Sequence, residues 1–376
     1  MSLIKRLLGL LALASLPALA QTSPTLTAKS WVLMDYASGQ VLAAQDPDTR
    51  LEPASLTKVM TTYLVADALR EKRLNPEQKV TISERAWKTQ GSRTFLQVGS
   101  QASVDTLFKG MVVQSGNDAS VALAEAVAGT EEAFAERMNR EAQRLGLRDT
   151  HFLNASGFHD NAEPRHYSTA RDMARLAAAL MRDQPEAHAL HAIKEYTHDG
   201  IRQHNRNRLL WLDPTVDGLK TGHSTAAGYC LIATAKRGPR RLIAVVMNTP
   251  SEDARARDAL ALLNHGFLDY DAVKLYDKDQ AISQIKVFKG EAGTVAAGFR
   301  EDFVLSLPKG LAGKTSATLE SMQPLIAPVS AGTRIATLKL AVDGKPWGEY
   351  PVVALADVPV AGLVGRTWDS LRLFFR

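Results

Sequence analysis

The 376-residue chain contains one cysteine, Cys230. No internal disulfide can form, so stability must come from a packed core. A 45% hydrophobic composition at this length suffices for one, in about two domains. Cys230 lies in the apolar run GYCLIATA and is expected to be a small buried hydrophobe in a strand. Aromatic residues are scarce at 6%, which gives no sign of an aromatic binding surface. Charge of one sign is also missing. The formal net charge of +5 falls to +3 once Lys5 and Arg6 leave with an N-terminal signal segment, and no Lys/Arg cluster is interleaved with aromatics. Nothing therefore points to nucleic acid as a partner. Metal motifs are absent too. His188, His191, His198 and His204 are close in sequence and the first two share a helix face, but there is no H-E-x-x-H and no carboxylate at a ligand spacing. These histidines are expected to be solvent-exposed helix residues, and neither a metal nor another cofactor is expected. The chain has no internal repeat and no low-complexity run.

Long hydrophobic runs are lacking as well. The apolar stretch Leu7–Leu16 is too short to span a membrane. It follows Lys5-Arg6 and precedes Ala18-Leu19-Ala20, the pattern of a secretory signal peptide spanning residues 1–20 and cut before Gln21.

Beyond residue 20 the chain has two textures. KSWVLMDYASGQVLAAQ predicts two strands around a Ser38-Gly39 turn. After Pro53, the apolar residues Leu56, Val59, Met60, Tyr63 and Leu64 recur at helical spacing and predict an amphipathic helix. NDASVALAEAVAG, EEAFAERMNREAQRLG and STARDMARLAAALMRD predict three more helices. GYCLIATAKRG and RRLIAVVMNTP predict a hairpin, and DARARDALALLNHGF a further helix. Residues 21–272 thus read as one α/β unit, with an antiparallel sheet drawn from both ends of the segment around a helical cluster. From Val273 to residue 361, short alternating segments separated by turn residues predict a small all-β domain, with Asp343-Gly344 as a hairpin turn. The fold class is α+β. Within residues 362–376, Val364, Trp368, Leu371 and Phe375 fall on one helical face, with Arg366, Asp369, Ser370 and Arg376 on others, the pattern of an amphipathic helix lying in a membrane interface.

S-x-x-K occurs four times, at Ser2, Ser55, Ser283 and Ser306. The first is in the signal segment, the last two are in the β domain, and only Ser55 opens a helix. Residues three apart share a helix face, so Lys58 can reach Ser55. The helix N-terminus adds free N–H groups and a positive dipole end, which would stabilise an oxyanion and ease deprotonation of Lys58. Two further motifs come later in the chain, in order: Ser115-Gly116-Asn117 at the start of a helical run, and Lys220-Thr221-Gly222 at the start of a predicted strand.

Three such motifs in this order resemble the serine acyl-transferases that include penicillin-binding proteins and class A β-lactamases. Within that group the chain is most similar to the low-molecular-weight D-alanyl-D-alanine carboxypeptidases, in NRNRLLW, HYSTARDMA, the β domain and the terminal VGRTWDSLRLFFR. The resemblance implies a β-lactamase/transpeptidase-like domain, peptidoglycan stem peptides ending in D-Ala-D-Ala as substrates, β-lactam antibiotics as covalent inhibitors, and a periplasmic location at the outer face of the inner membrane. It implies that Ser55 attacks the carbonyl between two D-alanines, Lys58 takes its proton, and Ser115 relays protons to the leaving amine. Asn117 would bind the peptide amide. Lys220 would polarise Ser115 and supply positive potential. Thr221 would bind the terminal carboxylate, with Arg255 or Arg257 adding charge. The amides of Ser55 and His223 would form the oxyanion hole, the strand bearing Lys220 and Gly222 would bind the peptide by strand addition, and Arg206 would help position that strand. Two departures stand out: Ser224 follows His223 where threonine is commoner, and Ser156 stands where some relatives carry a histidine.

Three other readings compete. A DD-endopeptidase of the same family would cut cross-links, but such relatives often lack the β domain. A β-lactamase would end soon after the strands and helix following Lys220-Thr221-Gly222, whereas about a hundred residues remain here; its deacylating glutamate would have to be found at Glu163-Pro164, where the asparagine expected shortly after is missing. A non-catalytic wall-binding protein would not form an acyl-enzyme.

Overall fold

The computed structural model describes residues 24–158, 166–362, 366–367 and 369–370. The expected signal segment, Glu163-Pro164, and the residues Val364, Trp368, Leu371 and Phe375 of the expected interface helix lie outside the described residues.

Strands β1 (Ser30–Asp35) and β2 (Val41–Gln45) form the first hairpin. They join β3 (Val216–Ser224), β4 (Gly228–Arg237) and β5 (Arg240–Thr249) in an antiparallel sheet of order β2-β1-β5-β4-β3. Strands from both ends of the segment thus meet, as their apolar patterns predict, and β3 is an edge strand. The sheet is buried on both faces, which explains the apolar runs of β1, β4 and β5. Val32, Met34, Ile243, Val245 and Met247 face a helical cluster, while Trp31, Leu33, Leu242, Ala244 and Val246 face the other way. This is the two-residue period of a strand.

The cluster holds α1 (Lys58–Arg70), α2 (Asn117–Ala128), α3 (Glu131–Arg144) and α4 (Ala170–Asp183). Its Ala-rich sequences allow close helix approach. Thr130 and Thr169 cap α3 and α4 by accepting from the amides of Ala133 and Asp172. Helix α5 (Glu252–Asp269), capped by Ser251, covers the opposite face with Ala259, Leu262 and Leu263. Helix α1 departs from the amphipathic expectation. Thr61, Thr62, Val65, Ala66 and Ala68 are buried along with the predicted face, because α2, α3 and α4 all pack against it. A helix enclosed by others needs no polar side.

The histidines also need correction. His188 and His191 are buried, the latter completely, because the short helix Pro185–Leu190 packs against β3. His191 Nδ1 lies 2.8 Å from the Leu219 carbonyl, so it donates, and burial pushes its pKa down to about 3. His198 and His204 lie on a separate two-stranded hairpin instead of a helix. Among the described residues, no group of three metal-ligating side chains converges.

From Tyr270 to Ala354 the chain is β apart from turns and one 3-10 turn, Ala312–Lys314: β6 (Tyr270–Tyr276), β7 (Ser283–Phe288), β8 (Thr294–Gly298), β9 (Phe303–Pro308), β10 (Thr315–Ser321), β11 (Leu325–Ile326), β12 (Arg334–Val342) and β13 (Lys345–Ala354). A six-stranded sheet of order β10-β12-β13-β8-β7-β11 stands with the pair β6-β9 around one apolar core. The expected Asp343-Gly344 turn joins β12 to β13. The expected boundary at 272/273 falls inside β6. The two units are joined by hydrogen bonds: Ser306 Oγ donates to Asp35 Oδ2 at 2.5 Å, Tyr270 O–H to the Leu42 carbonyl at 2.7 Å, and Tyr350 O–H to Gln40 Oε1 at 3.1 Å.

Candidate active site

Ser55 lies in a 3-10 turn, Ala54–Thr57, that leads into α1 at Lys58. Ser55 therefore sits just before the α-helix instead of on it, and Lys58 is its first residue. Ala54 adopts φ +45°, a left-handed conformation costly for a residue with a Cβ. The turn is held from two sides. A Cβ at Gly222 on β3 would stand 2.9 Å from the Pro53 carbonyl and 3.3 Å from the Ser55 amide; a Cβ at Gly157 would stand 1.9 Å from the Ala54 carbonyl. Gly157 is also at φ +77°. Only glycine lets both segments come this close.

Lys58 Nζ has three neighbours: Ser55 Oγ at 2.9 Å, Asn117 Oδ1 at 2.7 Å and the Ser156 carbonyl at 2.8 Å. Asn117 Oδ1 and the carbonyl can only accept, and they use two N–H groups. A neutral amine then keeps its lone pair for the Ser55 hydroxyl proton. The electrostatics agree with this. Burial, followed by the nearby Arg206 charge, pushes the Lys58 pKa down to about 7. Asp118 and Glu131 pull the other way, but their carboxylates are engaged elsewhere. Asp118 accepts from the amides of Thr94 and Leu96, and Glu131 accepts from the Ala155 amide and from Arg85.

Ser115 adopts φ +67° at the end of a π-helical turn, Gly110–Gln114, just before α2. That conformation turns the chain so that Asn117 begins α2 with its side chain on Lys58. Asn117 also holds the segment that carries Gln90 and Ser92, donating from Nδ2 to the Gln90 carbonyl at 2.6 Å and from its amide to the Ser92 carbonyl at 2.7 Å. Lys220 is in the middle of β3, not at its start, and donates to the Thr221 carbonyl at 3.0 Å. Its pKa lies well below the usual lysine value, through burial first and then through Lys58, Arg206 and Arg255. Because the two amines repel, loss of the Lys58 proton favours charge on Lys220.

These residues surround a cavity of about 980 Å³ lined by Ser55, Ser115, Asn117, Thr221, Gly222 and His223, with Arg255 at one wall. Arg255 is 5% exposed and donates to the Gly222 carbonyl at 3.3 Å and to Glu252 at 2.8 Å. Arg257 is exposed and does not line the cavity. The structure thus separates two arginines that the sequence leaves equivalent. Tyr229 packs against the His223 ring at 4.0 Å between centroids with the planes tilted by 31°, and the Arg255 guanidinium lies 5.5 Å from the same Tyr229 ring. The His223 pKa is lowered by burial and then by Arg255. Arg206 lines the cavity, and its carbonyl accepts from Arg255 at 3.5 Å. Direct ties to β3 come from Asn207, which donates to the Gly218 carbonyl at 2.9 Å, and from His191. Sequence reasoning missed the Ser156 carbonyl, Asp118, Tyr229 and the role of Asn207. Asp118 directly follows Ser115-Gly116-Asn117, and Asn207 lies in NRNRLLW; that adjacency was the only signal for either.

A serine hydroxyl on a buried lysine amine, with a second serine lining the same cavity and a second buried lysine on the strand that walls it, defines a serine hydrolase of the acyl-transferase type. The relatives narrow that class. Residues 18–251 match the family described as D-alanyl-D-alanine carboxypeptidase, and residues 270–360 the family described as Penicillin-binding protein 5, C-terminal domain. The chain is 40% identical over 361 residues to D-alanyl-D-alanine carboxypeptidase DacC of Escherichia coli, covering 94% of this chain and 90% of the relative. It is also 40% identical over 359 residues to DacA of Haemophilus influenzae, with the same two coverages. Among solved structures, penicillin binding protein 5 from Haemophilus influenzae superposes with a TM-score of 0.81 at 40% identity, over 90% of this chain and 99% of that one. Penicillin-binding protein D2 from Listeria monocytogenes, in its ampicillin-bound form, gives 0.61 at 30% identity over 66% of this chain and all of that one. The chain belongs to the D-alanyl-D-alanine carboxypeptidase family, with a transpeptidase-like domain followed by an all-β domain.

Proposed function

We propose that the protein removes the terminal D-alanine from peptidoglycan pentapeptides through an acyl-enzyme on Ser55, and that β-lactams acylate the same serine. The observation that carries this reading is the 2.9 Å contact between Ser55 Oγ and a lysine amine depressed to about pKa 7. Neutral Lys58 takes the hydroxyl proton as Ser55 Oγ bonds to the carbonyl carbon of the penultimate D-alanine. The oxyanion is held by the amides of Ser55 and His223. The C–N bond then breaks, and Ser115 passes the proton from Lys58 to the leaving amine. Water attacks the ester in the second half, with Lys58 again as base, and frees Ser55. The exposed edge of β3 accepts the peptide as an added strand, with Asn117 on its amide. Thr221 and Arg255 bind the free carboxylate, and Lys220 supplies the positive potential.

The mature chain begins after residue 20, carries its chemistry in 21–272 and its β domain in 273–361, and works in the periplasm. Residues 362–376 hold it reversibly at the membrane surface. Among the described residues no helix is long and apolar enough to cross a membrane.

The test combines penicillin labelling with a D-alanine release assay. Wild-type protein should form one adduct, on the peptide containing Ser55, and release D-alanine from a free-acid D-Ala-D-Ala peptide much faster than from its C-terminal amide. Ser55→Ala should do neither. An adduct on another residue would overturn the nucleophile assignment; equal cleavage of acid and amide would favour an endopeptidase.

A further inference from the structure

The two proposed oxyanion amides, of Ser55 and His223, come from segments far apart in sequence. Any device that sets the gap between them sets catalytic power, because a donor stabilises an oxyanion only where the oxyanion forms. One device is the absence of a side chain at Gly222, which lets β3 rest on Pro53 and Ser55. A second lies at the cavity rim. Ser224, the last residue of β3, donates from Oγ to Glu52 Oε2 at 3.0 Å and accepts the Ala227 amide at 3.0 Å. Its hydroxyl is thus committed in both directions. Glu52 is three residues before Ser55, and Ser224 is one residue after His223. Both line the cavity.

We propose that Glu52 and Ser224 are positioning residues: a clasp across the cavity rim that fixes the distance between the oxyanion amides. The clasp rests on the function proposed above, with Ser55 as nucleophile. It acts through geometry. The Ser224 hydroxyl needs an acceptor at residue 52, and a neutral amide oxygen can serve as well as a carboxylate.

The experiment measures penicillin acylation by stopped flow, separating the noncovalent binding constant from the acylation rate constant, in the full chain. Ser224→Ala should lower the acylation rate constant about tenfold, since small misplacements of catalytic groups cost this much or more, and should leave noncovalent binding within about twofold. Glu52→Ala should match it, and the double variant should be no slower than either single one, because both break the same contact. Ser224→Thr and Glu52→Gln keep donor and acceptor and should restore most of the rate. Wild-type acylation in Ser224→Ala, additive losses in the double variant, or equal failure of Ser224→Thr would overturn the clasp. If Ser224→Ala does not fold, the Glu52→Ala and Glu52→Gln pair decides alone: equal losses overturn the clasp. Failure of wild-type protein to label at Ser55 would instead overturn the underlying function.

Discussion

The two units of this molecule bury different things. Up to α5 the interior includes Lys58, Lys220, Arg255, Asp118 and Glu131. From Tyr270 onward, Ser306 is the single buried serine, threonine, amide, histidine or charged side chain among the described residues, and its hydroxyl points out of its own unit to Asp35. Buried charges are costly, and a fold keeps them only where other groups hold them in place. The first unit bears that cost at its candidate site, where Lys58, the proposed base, must be neutral to act. The β unit bears none, so its core is built for stability and its polar contact serves the joint. Substitutions in the first unit should therefore change rates out of proportion to stability, and those at the joint should do the reverse.

The largest effect should come from the two buried lysines. Lys58→Arg replaces the proposed base by a group that stays protonated, so the acylation rate should fall at least about a hundredfold. Lys220→Arg keeps its charge and should lose clearly less. In the wild type, acylation should rise as pH increases through about 7, because a lysine with a depressed pKa becomes a base above that value, and should level off beyond it. Stopped-flow acylation across pH checks both; equal losses in the two variants, or a rate that falls through pH 7, would break the division between the lysines.

A middle effect is expected at the arginines. Arg255→Ala should lower kcat/KM for a free-acid peptide by about tenfold to a hundredfold, the worth of a charge-assisted hydrogen bond. Arg257→Ala, on the exposed side of the same helix, should change it less than about twofold. Steady-state kinetics on both variants would show whether the cavity wall or the outer face reads the carboxylate.

The smallest effect on rate, and the sharpest test of the contrast between the units, is at the joint. Ser306→Ala leaves Asp35 Oδ2 without its buried donor and should cost about 1–3 kcal/mol in denaturant unfolding, with the penicillin acylation rate unchanged. A rate change there would mean that the β unit shapes the active site.

The candidate site was legible where it was local. Ser55 and Lys58 are one helical turn apart, and their spacing alone predicts the contact that the structure shows at 2.9 Å. The helices, the first hairpin and the β12–β13 turn were legible for the same reason, since periodicity and turn residues act within a few positions. The other ties of Lys58 were not. Asn117 Oδ1 is 59 residues away, and Ser156 contributes a carbonyl that any residue could supply, so its side chain carries no signal. Nor does a hydrophobic pattern report how many neighbours a helix has, which is why α1 and the His188–His191 segment looked more exposed than they are. Arg255 and Arg257 differ only in the direction they leave α5, a property of packing.

Cys230 offers a consequence of a different kind. It lies on β4 opposite Gly222, fully buried, with its thiol near the Ala227 carbonyl, and burial raises its pKa to about 11. At neutral pH the folded protein therefore carries about a hundredfold less thiolate than a free cysteine would, before steric shielding is counted. An alkylating reagent can modify it at speed only when β4 parts from its neighbours. Since no other thiol is present, the time course of alkylation is a clock for the opening of the sheet that carries the active site, readable by mass alone and without any engineered label.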